Sequence, residues 1–158
     1  MSRYGKRWVF VDLDCTLIDT KDLVISGGPE PTPGTPEHDA WVNYVTNPAI
    51  VAKAPPVISV LSLVRRLEKT GQVFYLTNRR RKMWDITREW LLSHRLGGTL
   101  LMRPDDETSR AGEFKEKMIK VLAAQHSDTV LMIDDDPDGS VEEACRRNKW
   151  TFLKMVTY

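Results

Sequence analysis

The chain has 158 residues, near the size of one domain and long enough to bury a real core. With 41% hydrophobic and 28% charged residues and a net charge of +1, it reads as an ordinary globular protein without a global field for nucleic acid or membrane, so any basic surface must be local. Its two cysteines, Cys15 and Cys145, give no disulfide framework, no apolar h-region follows Met1, and no apolar run nears the roughly 20 residues of a spanning helix; the expectation is a soluble, intracellular, cytoplasmic protein with no membrane partner.

The first strand is expected over Arg7 to Leu13, where Trp8-Val9-Phe10-Val11 runs into Asp12-Leu13-Asp14. Residues 19–56 have a different texture. The stretch from Gly27 to Pro36 is dense in Pro and Gly, with a short helix allowed near Asp39 to Thr46, and the whole reads as an insertion over the end of the first strand. Val57 to Lys69 is an amphipathic helix with Val57, Val60, Leu61, Val64 and Leu67 on one stripe, stopped by Gly71. Gln72 to Leu76 is the second strand, ending at Thr77-Asn78-Arg79, and Lys82 to His94 the next helix. After Gly97-Gly98 come a short third strand, Thr99 to Met102, a charged loop, Arg103 to Gly112, and a helix from Glu113 to Gln125. Thr129 to Ile133 is the fourth strand, running into Asp134-Asp135-Asp136; a helix over 139–148 and a strand from Trp150 to Val156 complete the chain. Strands alternating with helices predict an α/β fold: a Rossmann-like parallel sheet with helices on both faces, in a single domain over 1–158 carrying the 19–56 insertion.

In such a fold the ligand lies outside the carboxyl ends of the strands. Three strand ends carry polar chemistry: Asp12 and Asp14, Thr77, and Asp134 with Asp135. On an extended chain Asp12 and Asp14 share one side, where they either cap a turn or share a cation. Two strand ends with two carboxylates each favour the cation, and an all-oxygen set suits Mg²⁺ over Zn²⁺. Lys115 heads the apolar stripe of its helix, ahead of Ile119 and Leu122, and sits at the end of the dipole that prefers an anion. It is either a snorkelling lysine or the positive partner of the carboxylates. Carboxylates, a metal, a hydroxyl and a lysine together suggest phosphoryl transfer.

These residues match a known pattern. The sequence resembles the haloacid dehalogenase-like (HAD) phosphatase superfamily: Val11-Asp12-Leu13-Asp14-Cys15-Thr16 is similar to its first motif, Thr77 to the second, Lys115 to the third, and Asp134-Asp135 to the fourth. The resemblance covers essentially the whole chain and puts the 19–56 insertion in the place of the family's cap. More narrowly, Thr77-Asn78-Arg79, Arg103, Arg110, Phe114-Lys115-Glu116, Ile133-Asp134-Asp135 and Arg146-Arg147 resemble the phosphatase domain of polynucleotide kinase-phosphatases of the phage type, which would allow a phage-encoded origin. Two departures stand out: Thr77-Asn78-Arg79 lacks the glycine usual in its motif, and Cys15 replaces a usual glycine.

The resemblance implies that Asp12 is the nucleophile, forming an aspartyl-phosphate, and that Asp14 is the general acid and base. It implies that Thr77 and Lys115 hold the phosphoryl oxygens, and that Asp12, Asp14 (through its backbone carbonyl), Asp134 and Asp135 hold Mg²⁺, with Asp135 the direct ligand of the last pair. Asn78, Arg79 and Arg110 are the candidate substrate-binding residues, Arg79 through its planar fork. The implied activity is that of a polynucleotide 3′-phosphatase acting on a DNA or RNA 3′ end. A nucleotidase acting on small molecules is the alternative, and a phospho-receiver or other non-catalytic module is disfavoured because the third strand ends in Leu101-Met102-Arg103 without a carboxylate. Trp41, Tyr44 and Trp84 are either stacking platforms for bases or core aromatics. No phosphate-loop motif occurs, so a kinase or ligase of the same pathway would be a separate partner protein. Cys15 reads as a small buried residue, with an oxidation switch as the weaker alternative.

Overall fold

At the centre of the sheet lies β1 (Arg7–Val11), in a computed structural model that describes residues 7–32, 34–124 and 129–156. Parallel to it run β2 (Gly71–Arg80), β3 (Thr99–Arg103), β4 (Val130–Asp134) and β5 (Thr151–Lys154), in the order β3-β2-β1-β4-β5. The alternation of β1 explains why both faces are covered. Val9 and Val11 point into one core, with Val60, Leu61 and Val64 of α4 (Ile58–Leu67) and Trp90 and Leu91 of α5 (Trp84–Ser93). Phe10 points into the other, with Phe114 and Ile119 of α6 (Ala111–Ala123) and Val141 and Cys145 of α7 (Ser140–Asn148). The central strands β1 and β4 are buried on both faces, which is why they read as continuous apolar runs.

The insertion holds more structure than its Pro/Gly content suggests. It carries α1 (Lys21–Gly27), α2 (Pro36–Val45) and α3 (Pro48–Val51), the last two opened by the Thr35 and Asn47 side chains, which cap His38 N and Ala49 N. Leu23, Val45 and Val51 anchor these helices in the core shared with α4 and α5. The insertion's two ends are stitched together: Ile18 bridges Pro56, Asp19 N donates to Pro55 O (2.8 Å) and Val57 N to Leu17 O (2.9 Å).

Several boundaries differ from the sequence reading. Gly71 opens β2 instead of ending a helix, because its backbone pairs with Arg7 and an added Cβ would lie 2.9 Å from the Arg7 carbonyl. β2 runs on to Arg80, so Thr77, Asn78 and Arg79 are strand residues, and a short 3₁₀ turn (Arg81–Met83) precedes α5. α6 begins at Ala111, and its Val121 is exposed. Gln125 and the segment after Met1 lie outside the described residues. Among the described residues no helix is long and apolar enough to cross a membrane.

Candidate active site

The sheet order brings three loaded strand ends together. Asp12 follows β1, and its N–H donates to the Ile133 carbonyl (2.9 Å), extending the β1–β4 pairing until Asp12 stands beside Asp134. From α6, Lys115 reaches between them. Its Nζ donates to Asp12 Oδ1 at 2.8 Å and to Asp134 Oδ2 at 2.6 Å, and all three residues are buried. The lysine that the sequence places awkwardly at a helix start is the cation of a buried triad.

Thr16 completes the floor. Fully buried, it accepts the Asp135 N–H (2.9 Å) and donates to Asp12 Oδ2 (3.0 Å), with Asp135 Oδ1 at 3.4 Å as the alternative acceptor. Asp134 Oδ1 accepts the Asp136 N–H (2.9 Å), and Asp136, whose φ is 40°, caps α7 by accepting from Val141 N and Glu142 N. Asp134 is thereby committed to structure at both oxygens, which leaves Asp135, partly exposed, the freer carboxylate.

The electrostatics are tense. Burial and the Asp134 charge push the Asp12 carboxyl well above its ordinary range, against the pull of Lys115. Burial and Asp134 likewise push Asp135 to about 6. For Lys115, burial alone would lower the ammonium; the charges of Asp12 and Asp134 outweigh it and raise it.

Asp14 lies apart from that cluster. Arg79 grips it through a bidentate fork, Nε to Oδ2 at 2.8 Å and Nη2 to Oδ1 at 2.7 Å, while Thr20 donates to Oδ1 at 3.2 Å. Arg79 is 2% exposed and its Nη1 donates to Thr87. A β2 irregularity sends it there: Thr77 pairs with Met102 but Arg80 with Arg103, so Asn78 and Arg79 bulge out of register. The fork considered as a phosphate contact is therefore occupied by Asp14. Cys15 adopts φ of 59°, the left-handed region where the related motif has glycine, and burial pushes its thiol up to about 11, which argues against a reactive thiolate.

The other expected site residues scatter. Thr77 is buried at the edge, its Oγ1 accepting the Arg79 N–H (3.1 Å). Asn78 accepts from Arg103 Nη1 at 3.3 Å. Arg110 is exposed and pairs with Asp138 (3.2 Å), away from the carboxylate cluster. Trp41 packs against the core and donates to Gly28 O, Tyr44 donates to Ser26, and Trp84 lines an open groove of about 370 Å³ outside β3. Thr16, Thr20 and Thr87 were not among the expected site residues; the one signal for Thr16 was a hydroxyl four residues after Asp12.

No protein-family model matches the sequence, and no curated protein matches it. Solved structures do. A chain of the Pnkp1/Rnl/Hen1 RNA repair complex superposes at a TM-score of 0.66 and 17% identity over 96% of this chain, which spans 43% of that one. A haloacid dehalogenase-like hydrolase from Streptococcus pneumoniae matches at 0.66 and 14%, over 96% of this chain and 85% of its own. A HAD-hydrolase from Bacillus subtilis, bound to magnesium, matches at 0.67 and 11%, over 96% and 89%. The fold is haloacid dehalogenase-like.

Within that HAD-like fold, the acidic cluster sits where β1 and β4 diverge from the β2–β3 side, at the switch point of a 3-2-1-4-5 sheet. The flavodoxin-like sheet of receiver modules runs 2-1-3-4-5, so that alternative fails on topology. Asp12, Asp134 and Asp135 each offer an oxygen within 4.8 Å of the others, a set that could hold a metal ion. Three carboxylates face one ammonium, and Asp12 and Asp135 are pushed upward first by burial and then by the neighbouring Asp134 charge. A hard divalent cation fits that donor set, and an all-oxygen site suits Mg²⁺.

Proposed function

We propose that this chain is a Mg²⁺-dependent phosphomonoesterase working through an aspartyl-phosphate, and that its substrates are 3′-phosphorylated ends of DNA or RNA. The observation that carries the reaction class is the Lys115 ammonium held between Asp12 and Asp134 (2.8 and 2.6 Å) beside the half-buried Asp135. Asp12, Asp134 and Asp135, with the Asp14 backbone carbonyl, would hold the ion, which would neutralise charge on the phosphoryl oxygens.

An Asp12 carboxylate oxygen attacks phosphorus; the bond to the ester oxygen breaks, and that oxygen takes a proton from Asp14. Asp14 then removes a proton from water, whose oxygen attacks the acyl phosphate and releases phosphate with Asp12 restored. Lys115 and the Thr77 hydroxyl stabilise the transferring oxygens, and Thr16 orients Asp12 by its hydrogen bond. Arg79 is best read as the residue that positions Asp14.

The choice of a nucleic acid end is supported by the likeness to a chain of an RNA repair complex and by the basic residues Arg80, Arg81 and Lys82 at the sheet's carboxyl edge. The 19–56 insertion would act as a small cap on a single domain, leaving room for a strand. Kinase and ligase activities of such a pathway would lie outside residues 1–158, which hold no phosphate loop. Phosphate release from a 3′-phosphorylated oligonucleotide is compared with that from the 5′-phosphorylated strand. Faster release from the 3′ end is expected; equal rates would contradict the 3′ assignment and favour a general small-molecule phosphatase.

A further inference from the structure

Arg103 closes β3 with only 9% of its surface exposed, yet its Nε has no hydrogen-bond partner among the described residues. Its Nη1 donates to the Asn78 side-chain oxygen (3.3 Å), and its guanidinium lies over the Phe114 ring, 5.4 Å from the centroid. Neither contact supplies negative charge. Across the β2–β3 register stands Arg80, whose Nη1 donates to the carbonyl oxygens of Pro104 (2.9 Å) and Glu107. Neither arginine forms an ion pair among the described residues. Burial, and then the Arg80 charge, push the Arg103 guanidinium below its usual range, opposed in part by Glu107.

Glu107 and Glu30 act on Arg103 only at longer range, and a buried charge without a direct ion-pair partner is costly and is normally paired or coordinated. Here two guanidiniums meet neutral oxygens, at the carboxyl edge of the sheet where substrate binds. Met102, the residue before Arg103, pairs with Thr77. β3 lies two strands from β1, roughly 10 Å at ordinary strand spacing. That backbone separation is about the span of one nucleoside.

We propose that Arg103, oriented by Asn78 and Phe114 and seconded by Arg80, is a subsite for a second phosphate group of the substrate, one nucleoside away from the phosphate that reacts. The inference rests on the phosphatase reading above and sharpens its substrate class. The second phosphate is either the internal diester of a strand or the 5′-phosphate of a nucleoside 3′,5′-bisphosphate. Arginine suits either, as its fork meets two phosphate oxygens at once.

The test measures kcat/KM, with Mg²⁺ present, on a nucleoside 3′-monophosphate, a nucleoside 3′,5′-bisphosphate and a dinucleotide with a terminal 3′-phosphate. A charge-assisted contact predicts a preference of about 10- to 100-fold for the substrates with a second phosphate. In Arg103→Gln the ratio to the monophosphate should collapse. Replacing the dinucleotide's internal linkage by a neutral methylphosphonate should cost the wild-type enzyme a similar factor, a measurement that does not depend on how the variant folds. A dinucleotide better than the bisphosphate assigns the subsite to a strand; equality assigns it to a free nucleotide, and both support the subsite. Equal kcat/KM on all three substrates, or a preference untouched by Arg103→Gln, would overturn it while leaving the phosphatase reading intact. No release from any of the three overturns both.

Discussion

Lys115 is the buried cation between Asp12 and Asp134, and its unusual surroundings were legible from its place at the head of an apolar stripe, where a solvated lysine has no reason to be. Removing it as Lys115→Ala leaves Asp12 and Asp134 buried against each other, so unfolding in urea should show a loss of about 3–5 kcal/mol alongside the loss of phosphatase activity. Arg79 was legible as a site residue but its partner was not, because the bulge that turns it toward Asp14 is a property of two strands in register. Arg79→Lys keeps the charge and loses the fork; kcat is expected to fall by about 100-fold, as a misplaced acid/base group would predict, with KM changing much less. A fall in affinity alone would mean that Arg79 binds substrate instead. Thr16 was visible as part of the first motif but its partners were not, for a similar reason: its bonds to Asp12 and Asp135 exist only once β1 and β4 are paired.

At the scale of elements, the strands and helices were readable because apolar period and turn residues agree. The exceptions were the insertion and β2. Pro and Gly density masked α1 and α3, while α2 lies where a short helix near Asp39 to Thr46 was allowed; all three are held by Leu23, Val45 and Val51 docking on a distant core. α6 and α7 matter most for the site, since one carries Lys115 and the other is capped by Asp136. They touch at Gly112, where an added Cβ would sit 2.5 Å from the Ser140 carbonyl oxygen. Gly112→Ala should therefore cost about 1–3 kcal/mol in thermal or denaturant unfolding. The same helices are tied by Glu116, whose hydrogen bond from Arg147, helped by Lys120 and Asn148, lowers its carboxyl from 4.5 to about 2. A carboxyl depressed by folding adds stability that is complete above its unfolded value and lost as pH falls toward the folded one. The Tm difference between wild type and Glu116→Gln should accordingly shrink as pH falls from about 5 toward 2.

On the scale of the whole molecule, the sequence supported a parallel sheet with chemistry at its carboxyl edge, but not which strands would be neighbours. The order β3-β2-β1-β4-β5 decides that Asp12 meets Asp134 and Asp135, and that Asp14 falls to Arg79. The surplus negative charge predicts cation binding independent of turnover. Added Mg²⁺ should raise the Tm of the wild type by mass action and do so much less for Asp135→Asn. An equal rise in both would place the ion elsewhere.

The central claim is that Asp12 attacks phosphorus at a magnesium-supported site. It is tested most directly by hydrolysis of a chromogenic phosphate monoester with and without Mg²⁺, in the wild type and in Asp12→Asn, an amide of the same shape without the nucleophilic charge. Turnover by the wild type only with Mg²⁺, and none above background by Asp12→Asn, is the expected result; full activity in that variant would contradict a nucleophilic Asp12.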